Sequence, residues 1–364
     1  MNKIDLFDIS TSSEMRTNFL KEFSYLLNKN DWVGGDSVVE FENNFSSFLG
    51  SKYCVAVNSG TDSLELALKA YNIGFGDKVI VPAFSFFATS EAVLKVGATP
   101  VYCDIDKNDL NIDIELLNIN MDKDVKAIIP VHLFGTPARM SEINNFAKEN
   151  GLVVIEDVAQ AFGSKIGDNY LGTIGNIGCF SFYPTKNLGG FGDGGCITTD
   201  DINIAKKIMS LRNHGQTEKY FHEYVGYNSR LDNIQAVILN LKLQNIDKDL
   251  KIRSEISKYY FEYFKNYSEI MLHGKERQPM NLFPMSFNLE KKLEKVKEVL
   301  KSNRVMFGEY YPYGLHEFPI SKHNSGVNLK TTEWATKNIL TLPNHPRLEK
   351  KDIDYIGSLI ASFL

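Results

Sequence analysis

The feature that most constrains the fold is a repeated alternation of short apolar runs with segments of helical periodicity. The runs predict buried strands at 53–57, 78–81, 100–103, 125–131, 152–156 and 179–182. Helical spacing of apolar residues appears between them, for example at 86–96 and 140–149. This β–α–β rhythm, with strands apolar on both sides, favours an α/β fold with a mostly parallel central sheet flanked by helices.

The chain length suggests two domains rather than one. The 364 residues exceed the size of a typical single domain. The alternation ends near residue 245, and the following residues are more charged and interrupted by proline. We therefore predict a large α/β domain at 1–245 and a smaller C-terminal α+β domain at 246–364, which closes over a cleft.

Composition excludes several classes of function. The net charge is -5 and basic residues form no stripe, so we expect no nucleic-acid partner. No apolar run approaches the roughly 20 residues of a membrane-spanning helix. Residues 1–10 lack the apolar core of a secretory signal. These observations predict a cytoplasmic protein with no membrane association.

The cysteines and histidines do not predict a metal site or disulfides. Cys54, Cys103, Cys179 and Cys196 lie far apart, without a C-x-x-C pair, and each is in an apolar, strand-like run. Such cysteines are typical of a reduced core. The histidines lack metal-ligand spacing, so we predict no metal.

A lysine next to a glycine-rich turn is the first candidate for chemistry. Lys186 follows the predicted strand that ends at Phe182, and glycines cluster from Gly189 to Gly195. Glycines allow the backbone to turn freely and to approach a ligand closely. A desolvated lysine amine can act as a nucleophile toward carbonyl cofactors. The same stretch also fits an ordinary surface lysine beside a loop.

A second candidate lies after the predicted strand 53–57. Asn58, Ser59 and Thr61 can cap the following helix, whose first backbone N–H groups and positive dipole end converge on one place. This arrangement suits a phosphate, although the segment matches neither a Walker A sequence nor a G-x-G-x-x-G motif. Helix capping alone is the alternative.

An acidic residue and aromatic residues follow other predicted strands. Asp157 ends a very apolar strand, where a carboxylate must be paired, hydrogen-bonded or protonated. It could neutralise a protonated heterocycle or simply cap a turn. Phe86 could stack on a ring or pack in the core. Because ligands of parallel sheets bind beyond the carboxyl ends of the strands, these side chains and Lys186 could share one cleft.

Four segments together resemble one known family. NSGTDSLELAL, EDVAQAFG, SFYPTKNLGGFGDGG and GYNSRLDNIQA occur in this order. They are similar to the DegT-type sugar aminotransferases, which are fold type I enzymes dependent on pyridoxal 5'-phosphate (PLP). The resemblance covers nearly the whole chain and is strongest from Asn58 to Leu243. It implies PLP, or its amine form PMP, as the cofactor.

The resemblance assigns roles to individual residues. Lys186 would be the Schiff-base lysine, and Asp157 would keep the pyridine nitrogen protonated so that the ring accepts electrons. The remaining cofactor contacts that it implies are Gly60, Thr61 and Ser181 at the phosphate, Gln160 near the phenolic oxygen, and Phe86 stacked on the ring. Asn228 would reach the phosphate in the neighbouring subunit, which implies a homodimer with shared sites.

The resemblance also implies a substrate class. We expect transfer of an amino group from L-glutamate to a nucleotide-linked keto-6-deoxy sugar, such as a dTDP-3-keto-6-deoxyhexose, for amino-sugar and surface-glycan biosynthesis. The side chains that could contact this sugar nucleotide are Tyr183, His222, Tyr224, Arg230 and His316. Alternatively, these side chains only hold the loop and the dimer together.

Other functions within the same fold stay open. A 4-keto sugar aminotransferase is one, and a PLP-dependent sugar dehydratase or a non-catalytic regulatory protein is another. The dehydratases of the family have histidine where this chain has Lys186. An intact lysine therefore argues against the dehydratase, and the complete set of cofactor residues argues against a non-catalytic protein.

Overall fold

The central sheet contains seven strands in the part of the chain that the computed structural model describes, residues 3–324 and 329–364. In chain order the strands up to Thr199 are β1 Tyr53–Val57, β2 Lys78–Pro82, β3 Thr99–Cys103, β4 Val125–Ile128, β5 Val153–Asp157, β6 Lys165–Ile166, β7 Asn169–Tyr170, β8 Ile177–Ser181 and β9 Gly195–Thr199. The order in the sheet is β1-β9-β8-β5-β4-β2-β3, and β6 and β7 pair separately.

The strand directions agree with the α/β prediction. β5 is parallel to β4 and β8, and β2 is parallel to β3 and β4. β9 is antiparallel to both of its neighbours, β1 and β8. The predicted mostly parallel sheet is therefore confirmed. The exception arises because the glycine-rich turn after β8 returns the chain directly, without a crossover helix.

Helices connect and cover the strands. They are α1 Ser13–Lys29, α2 Asp36–Leu49, α3 Gly60–Ala70, α4 Ala88–Lys95, α5 Met140–Asn150, α6 Ile202–Leu211, α7 Asn233–Leu243, α8 Ile246–Phe264, α9 Glu290–Ser302, α10 Lys330–Asn338 and α11 Lys350–Ala361. Short 3-10 segments occur at Ile114–Asn120, Leu133–Gly135, Leu315–Glu317 and Pro319–Asn324. Within the described ranges, each helix is too short or too polar to span a lipid bilayer.

One long helix in the sequence pattern is two helices in the structure. The apolar periodicity predicts a helix from Asp232 to about Tyr267, but α7 ends at Leu243 and α8 begins at Ile246. Asn245 between them has φ -119° and ψ 10°, outside helical values. Asparagine is a weak helix former, so this is a natural place for the break.

The sheet lies between two apolar layers. On one side it packs against α3, α4 and α6, and on the other side against α2 and α7. The connecting loops at the carboxyl ends of β5 and β8 are therefore held in place by rigid elements on both faces. This edge of the sheet carries Asp157 and, just after β8, Lys186.

The C-terminal residues build a further core. It contains α8, α9, α11 and a sheet of β12 Ile270–Leu272, β13 Phe283–Phe287 and β14 Ile339–Leu342. Ile4 also packs there, beside Val305, whereas Leu315 and Leu329 pack with the central sheet. We propose a boundary between the large α/β domain and the smaller C-terminal domain at residue 245. Ile4, near the N-terminus, packs in the core of the smaller domain.

Candidate active site

A cavity of about 830 Å³ opens at the carboxyl-end edge of the sheet. It lies between the loops after the strands and the C-terminal segments at Asn281–Leu282 and Glu309–Pro312. Of the residues predicted for a site, those that line it are Gly60, Thr61, Phe86, Asp157, Gln160, Ser181, Tyr183 and Lys186. The structure therefore brings together side chains from separate loops, as expected for an α/β sheet.

One wall of the cavity is the N-terminus of α3. Ser59 caps this helix, because its Oγ accepts a hydrogen bond from the Asp62 N–H at 3.0 Å. Gly60 and Thr61 are the first helical residues, so their N–H groups have no earlier turn to bind. A Cβ on Gly60 would lie 2.6 Å from Ser181 Cβ. Glycine thus lets the start of α3 lie directly against Ser181, and a helix N-terminus of this kind suits an anion.

Asp157 is a buried acid with a fixed orientation. Its Oδ2 accepts a hydrogen bond from Thr89 Oγ1 at 2.9 Å, and its Oδ1 accepts one from the Ala159 N–H at 3.1 Å. Ser85 Oγ lies 2.9 Å from Thr89 Oγ1 and extends this chain. Burial raises the pKa of Asp157, while these hydrogen bonds and the charge of Lys186 act in the opposite direction. Asp157 therefore lines the cavity with its carboxylate held in a fixed orientation.

Glu156 and His132 form a buried pair next to Asp157, whose carbonyl accepts a hydrogen bond from the His132 backbone N–H at 3.0 Å. Both are fully buried. The Ala138 N–H donates to His132 Nδ1 at 3.1 Å, so Nε2 carries the hydrogen that His132 donates to Glu156 Oε2 at 3.0 Å. Glu156 also accepts backbone N–H bonds from Gly172, Ile174 and Gly175. Such complete satisfaction makes a buried carboxylate tolerable and fixes the end of β5.

Sequence reasoning missed this Glu156–His132 pair. Glu156 precedes Asp157 in an otherwise apolar strand, so its burial could have been suspected from the sequence. Its partner is distant in sequence, and nothing in the local pattern around His132 identifies it.

Lys186 lies on the cavity wall without a bound carboxylate. In the ranges that the structure describes, its Nζ forms no ion pair. Burial lowers the pKa of Lys186 to about 8, although the negative charge of Asp157 acts to raise it. A larger fraction of this amine is neutral near physiological pH than of an exposed lysine, which favours nucleophilic attack.

The glycine-rich turn after Lys186 wraps around a side chain of α7. The Phe191 N–H donates to Gln235 Oε1 at 2.8 Å. A Cβ on Gly190 or Gly192 would lie 2.8 Å or 2.9 Å from the Gln235 amide. These glycines therefore allow the turn to approach the end of the Gln235 side chain closely.

Gln160 is held between two segments. Its Oε1 accepts a hydrogen bond from the Phe134 N–H at 2.8 Å, and its Nε2 donates to Tyr311 Oη at 2.8 Å. The Tyr311 ring lies 6.2 Å from that of Phe86 and 5.9 Å from that of Phe84. Burial raises the pKa of Tyr311 above its usual range. Tyr311 was not predicted, because it comes from the distant C-terminal part of the chain.

Five predicted residues do not line this cavity. Asn228 Oδ1 accepts a hydrogen bond from Arg230 at 2.6 Å, and Arg230 also donates to Asn213. His222 and Tyr224 belong to the exposed segment around the hairpin of β10 Gln216–Glu218 and β11 Phe221–His222. His316 lies in the 3-10 segment Leu315–Glu317, outside the cavity. Within one chain these side chains do not reach Lys186 or Asp157.

Metal ligands are absent from the described part of the chain. No group of three or more His, Cys, Asp or Glu side chains there is arranged to hold a metal ion. Cys54, Cys103, Cys179 and Cys196 are buried and free. The cavity itself offers the Lys186 amine, the Asp157 carboxylate, the α3 N-terminus and aromatic side chains.

Comparison with known proteins identifies the family. The model of the DegT/DnrJ/EryC1/StrS aminotransferase family matches residues 13–361. The chain belongs to this family. The resemblance in the sequence is thereby confirmed over almost the full length.

Individual relatives match over nearly the whole chain. The UDP-N-acetyl-3-dehydro-alpha-D-glucosamine 3-aminotransferase of Acidithiobacillus ferrooxidans is 36% identical over 95% of this chain and 94% of its own. The dTDP-3-amino-3,6-dideoxy-alpha-D-galactopyranose transaminase of Aneurinibacillus thermoaerophilus is 35% identical, with 94% and 95% covered. The structure of NtdA from Bacillus subtilis with bound PMP superposes with a TM-score of 0.93 at 28% identity, covering 100% of this chain and 85% of that one.

Proposed function

We propose that this family member is a PLP-dependent aminotransferase that transfers the amino group of L-glutamate to a nucleotide-linked keto sugar. The observation that carries the proposal is that Lys186 and Asp157 line the same cavity, together with the N-terminus of α3. Nucleophile, counter-charge and anion site are the groups that PLP requires. Both named relatives are nucleotide-sugar aminotransferases, which supports the same class of substrate.

The residues in the cavity fit PLP. Gly60, Thr61 and Ser181 would hold its phosphate, because all three line the cavity and Gly60 lies directly against Ser181 at the start of α3. Asp157 would hold the proton on the ring nitrogen, since Thr89 and Ala159 fix its carboxylate. Phe86, which lines the cavity and is 59% exposed, would supply a flat apolar wall.

Lys186 would carry out the proton transfers of the reaction. When bound, PLP supplies a carbonyl carbon for amine exchange and a ring that stabilises negative charge. The lowered pKa of Lys186 makes its neutral amine available as a nucleophile and base near pH 8. Lys186 Nζ would take the proton from the α-carbon of the amino donor and deliver it to the carbon of the cofactor that was the aldehyde carbon. Asp157 would remain ionised throughout and orient the ring.

The charges in the cavity support a homodimer with shared sites. Among the described residues that line the cavity, Lys186 is the only cation, whereas Asp157, Asp193 and Glu309 are acidic. A sugar nucleotide carries a diphosphate, and glutamate carries two carboxylates, so further cations are needed. We propose that the partner supplies its Arg230, Asn228 and the hairpin β10–β11 that carries His222.

An exposed apolar surface is the contact that we propose for the second copy. The large hydrophobic side chains exposed on and near α1 and α2 are Leu20, Tyr25, Leu27, Trp32, Val33 and Val39. Burying such side chains against a second copy removes apolar surface from water. Of these side chains, Val33 lines a smaller pocket together with Arg212 and Arg230. Association through this face would bring Arg230 toward the partner.

The specific substrate that we propose is a dTDP-3-keto-6-deoxyhexose, aminated at C3 for amino-sugar and surface-glycan biosynthesis. Both named relatives are aminotransferases for carbon 3, which supports this carbon, while their nucleotides are UDP and dTDP. A 4-keto sugar is the runner-up substrate. Tyr183, which lines the cavity and is half-exposed, can donate a hydrogen bond to a sugar hydroxyl.

A product assay tests the proposal. PLP-loaded protein and L-glutamate are incubated with dTDP-3-keto, UDP-3-keto and dTDP-4-keto sugars, and NMR locates the new C–N bond. Nitrogen at C3 of the dTDP sugar supports the specific substrate. Nitrogen at C4 or exclusive use of the UDP sugar would refute the substrate but keep the aminotransferase, whereas loss of a sugar hydroxyl without nitrogen transfer would indicate the dehydratase.

A further inference from the structure

Asn281 is a buried side chain that joins the C-terminal unit to the segment around Lys186. It is 3% exposed, precedes β13 and lines the cavity. Its Nδ2 donates to the Thr185 carbonyl at 3.0 Å and to Asn187 Oδ1 at 3.2 Å. Thr185 and Asn187 are the direct neighbours of Lys186. One amide group therefore contacts the chain on both sides of the proposed nucleophile.

Asn187 extends this contact into a network. Its Nδ2 donates to the Phe162 carbonyl at 3.1 Å and to the Pro279 carbonyl at 2.7 Å. The Lys186 N–H donates to the Tyr183 carbonyl at 2.9 Å, and the Asn281 N–H donates to the Phe134 carbonyl at 3.0 Å. The backbone of Lys186 is thus restrained on each side.

The Nζ end of Lys186 contrasts with its backbone. Within residues 3–324 and 329–364 it forms no hydrogen bond or salt bridge, although the charge of Asp157 acts on it. The backbone of Lys186 is restrained while its Nζ is not, so the side chain can change rotamer but its Cα–Cβ direction is fixed. The backbone position of Lys186 therefore determines which points in the cavity its Nζ can reach.

We propose that Asn281, acting with Asn187, is a positioning residue for Lys186. It fixes the direction in which the lysine side chain leaves the backbone, and so determines how fast Nζ reaches the carbonyl carbon of PLP. This inference rests on the proposed function. Because Asn281 belongs to the segment before β13, it also makes the position of Lys186 depend on the C-terminal unit.

Reaction geometry gives the size of the expected effect. A displacement of about 1 Å in a reacting group can lower a rate roughly 100-fold. Removing the Asn281 amide leaves the Thr185 carbonyl and Asn187 Oδ1 without their donor. We expect Lys186 to bond to PLP about 10- to 100-fold more slowly, while contacts to the phosphate and ring stay intact.

The test separates covalent capture from simple binding. Apoprotein is mixed with PLP, and stopped-flow absorbance follows formation of the C=N bond between Lys186 Nζ and the aldehyde carbon, whose oxygen leaves as water. Binding of PMP is measured in parallel, because PMP has no aldehyde and cannot bond to Lys186. For Asn281→Leu we expect slow PLP capture with PMP affinity within about twofold of the wild type.

Matched variants distinguish positioning from general loosening. Asn281→Ser serves if the leucine variant does not fold, and Asn187→Leu should slow capture in a non-additive way with Asn281→Leu. Asn240→Leu is the control, since Asn240 is also buried and bonds Ser37 and Asn44 far from the cavity. It should leave capture unchanged.

The outcomes identify which proposal fails. Asn281→Leu and Asn281→Ser could weaken PLP capture and PMP binding equally. That result would show a purely structural role for Asn281 and overturn the positioning role. Unchanged capture in these variants would overturn it too. If the wild-type apoprotein itself forms no bond with PLP, the proposed function fails.

Discussion

The buried amine of Lys186 gives the clearest expectation at the scale of a residue. Its pKa is lowered to about 8 from the ordinary 10.5 by burial. The cationic amine cannot attack a carbonyl, so the rate of PLP capture by the apoprotein should increase with pH and level off above about pH 9. Stopped-flow measurements across this range check the prediction. A rate still increasing toward a midpoint near 10.5 would contradict it.

Asp157 should matter for rate more than for binding. In Asp157→Asn the shape is kept, and Thr89 remains a partner, but a neutral amide cannot hold a proton on the ring nitrogen. We expect the variant to bind PLP and to lose at least about 100-fold in kcat. Steady-state kinetics beside a PLP titration measure the two effects separately. A kcat close to the wild type would remove Asp157 from its proposed role.

At the scale of an element, the N-terminus of α3 should bind the phosphate. The substitution Gly60→Ala would place a Cβ 2.6 Å from Ser181 Cβ and 3.1 Å from its Cα, so the backbone must move. Overpacking of this kind commonly costs about 1–3 kcal/mol. Because this movement displaces the N–H groups at the start of α3, we expect the variant to bind PLP roughly 10-fold or more weakly than the wild type, as measured by equilibrium dialysis.

A second glycine provides the control for Gly60→Ala. A Cβ on Gly74 would meet only the Val96 carbonyl oxygen at 3.4 Å, and Gly74 lies outside the cavity. Gly74→Ala should leave PLP affinity unchanged in equilibrium dialysis. Equal affinities for the two variants and the wild type would argue against a phosphate at the α3 N-terminus.

The same element shows what sequence reasoning can reach. The strand, the cap at Ser59 and the helix are consecutive, so local patterns predict this end of the cavity. Lys186 and Asp157 likewise follow strands whose apolar runs are visible in the sequence. Since parallel strands end at one edge of a sheet, their convergence could be predicted as well.

Contacts between distant segments could not be predicted in this way. Tyr311 meets Gln160, and Asn281 meets Thr185, across separations that no periodicity encodes. The break at Asn245 was missed because the apolar spacing continues on both sides of it. Such features depend on tertiary packing between distant segments, which the local pattern of a single sequence does not reveal.

At the scale of the whole molecule, we expect a homodimer in which each cavity uses residues of both chains. Lys186→Ala removes the lysine of a site, and Asn228→Ala removes the residue that the partner chain would supply. If one site uses Lys186 and Asn228 from different chains, a mixed dimer contains one intact site. Random pairing should then restore roughly a quarter of wild-type activity. Activity after subunit exchange checks this expectation.

A double variant controls for this complementation. Lys186→Ala mixed with a Lys186→Ala/Asn228→Ala chain has no native lysine and should remain inactive. The absence of rescue between the single variants would contradict shared sites, and so would a fully active monomer in sedimentation experiments.

The central claim is that Lys186 holds PLP and releases it to an amino donor. The most direct measurement is the absorbance spectrum of the PLP-loaded protein before and after addition of L-glutamate, with 2-oxoglutarate assayed in the same sample. We predict a band of lysine-bound PLP that L-glutamate removes as 2-oxoglutarate forms, and that Lys186→Ala lacks. A wild-type protein without this band, or a band that L-glutamate and other amino acids leave unchanged, would contradict the account.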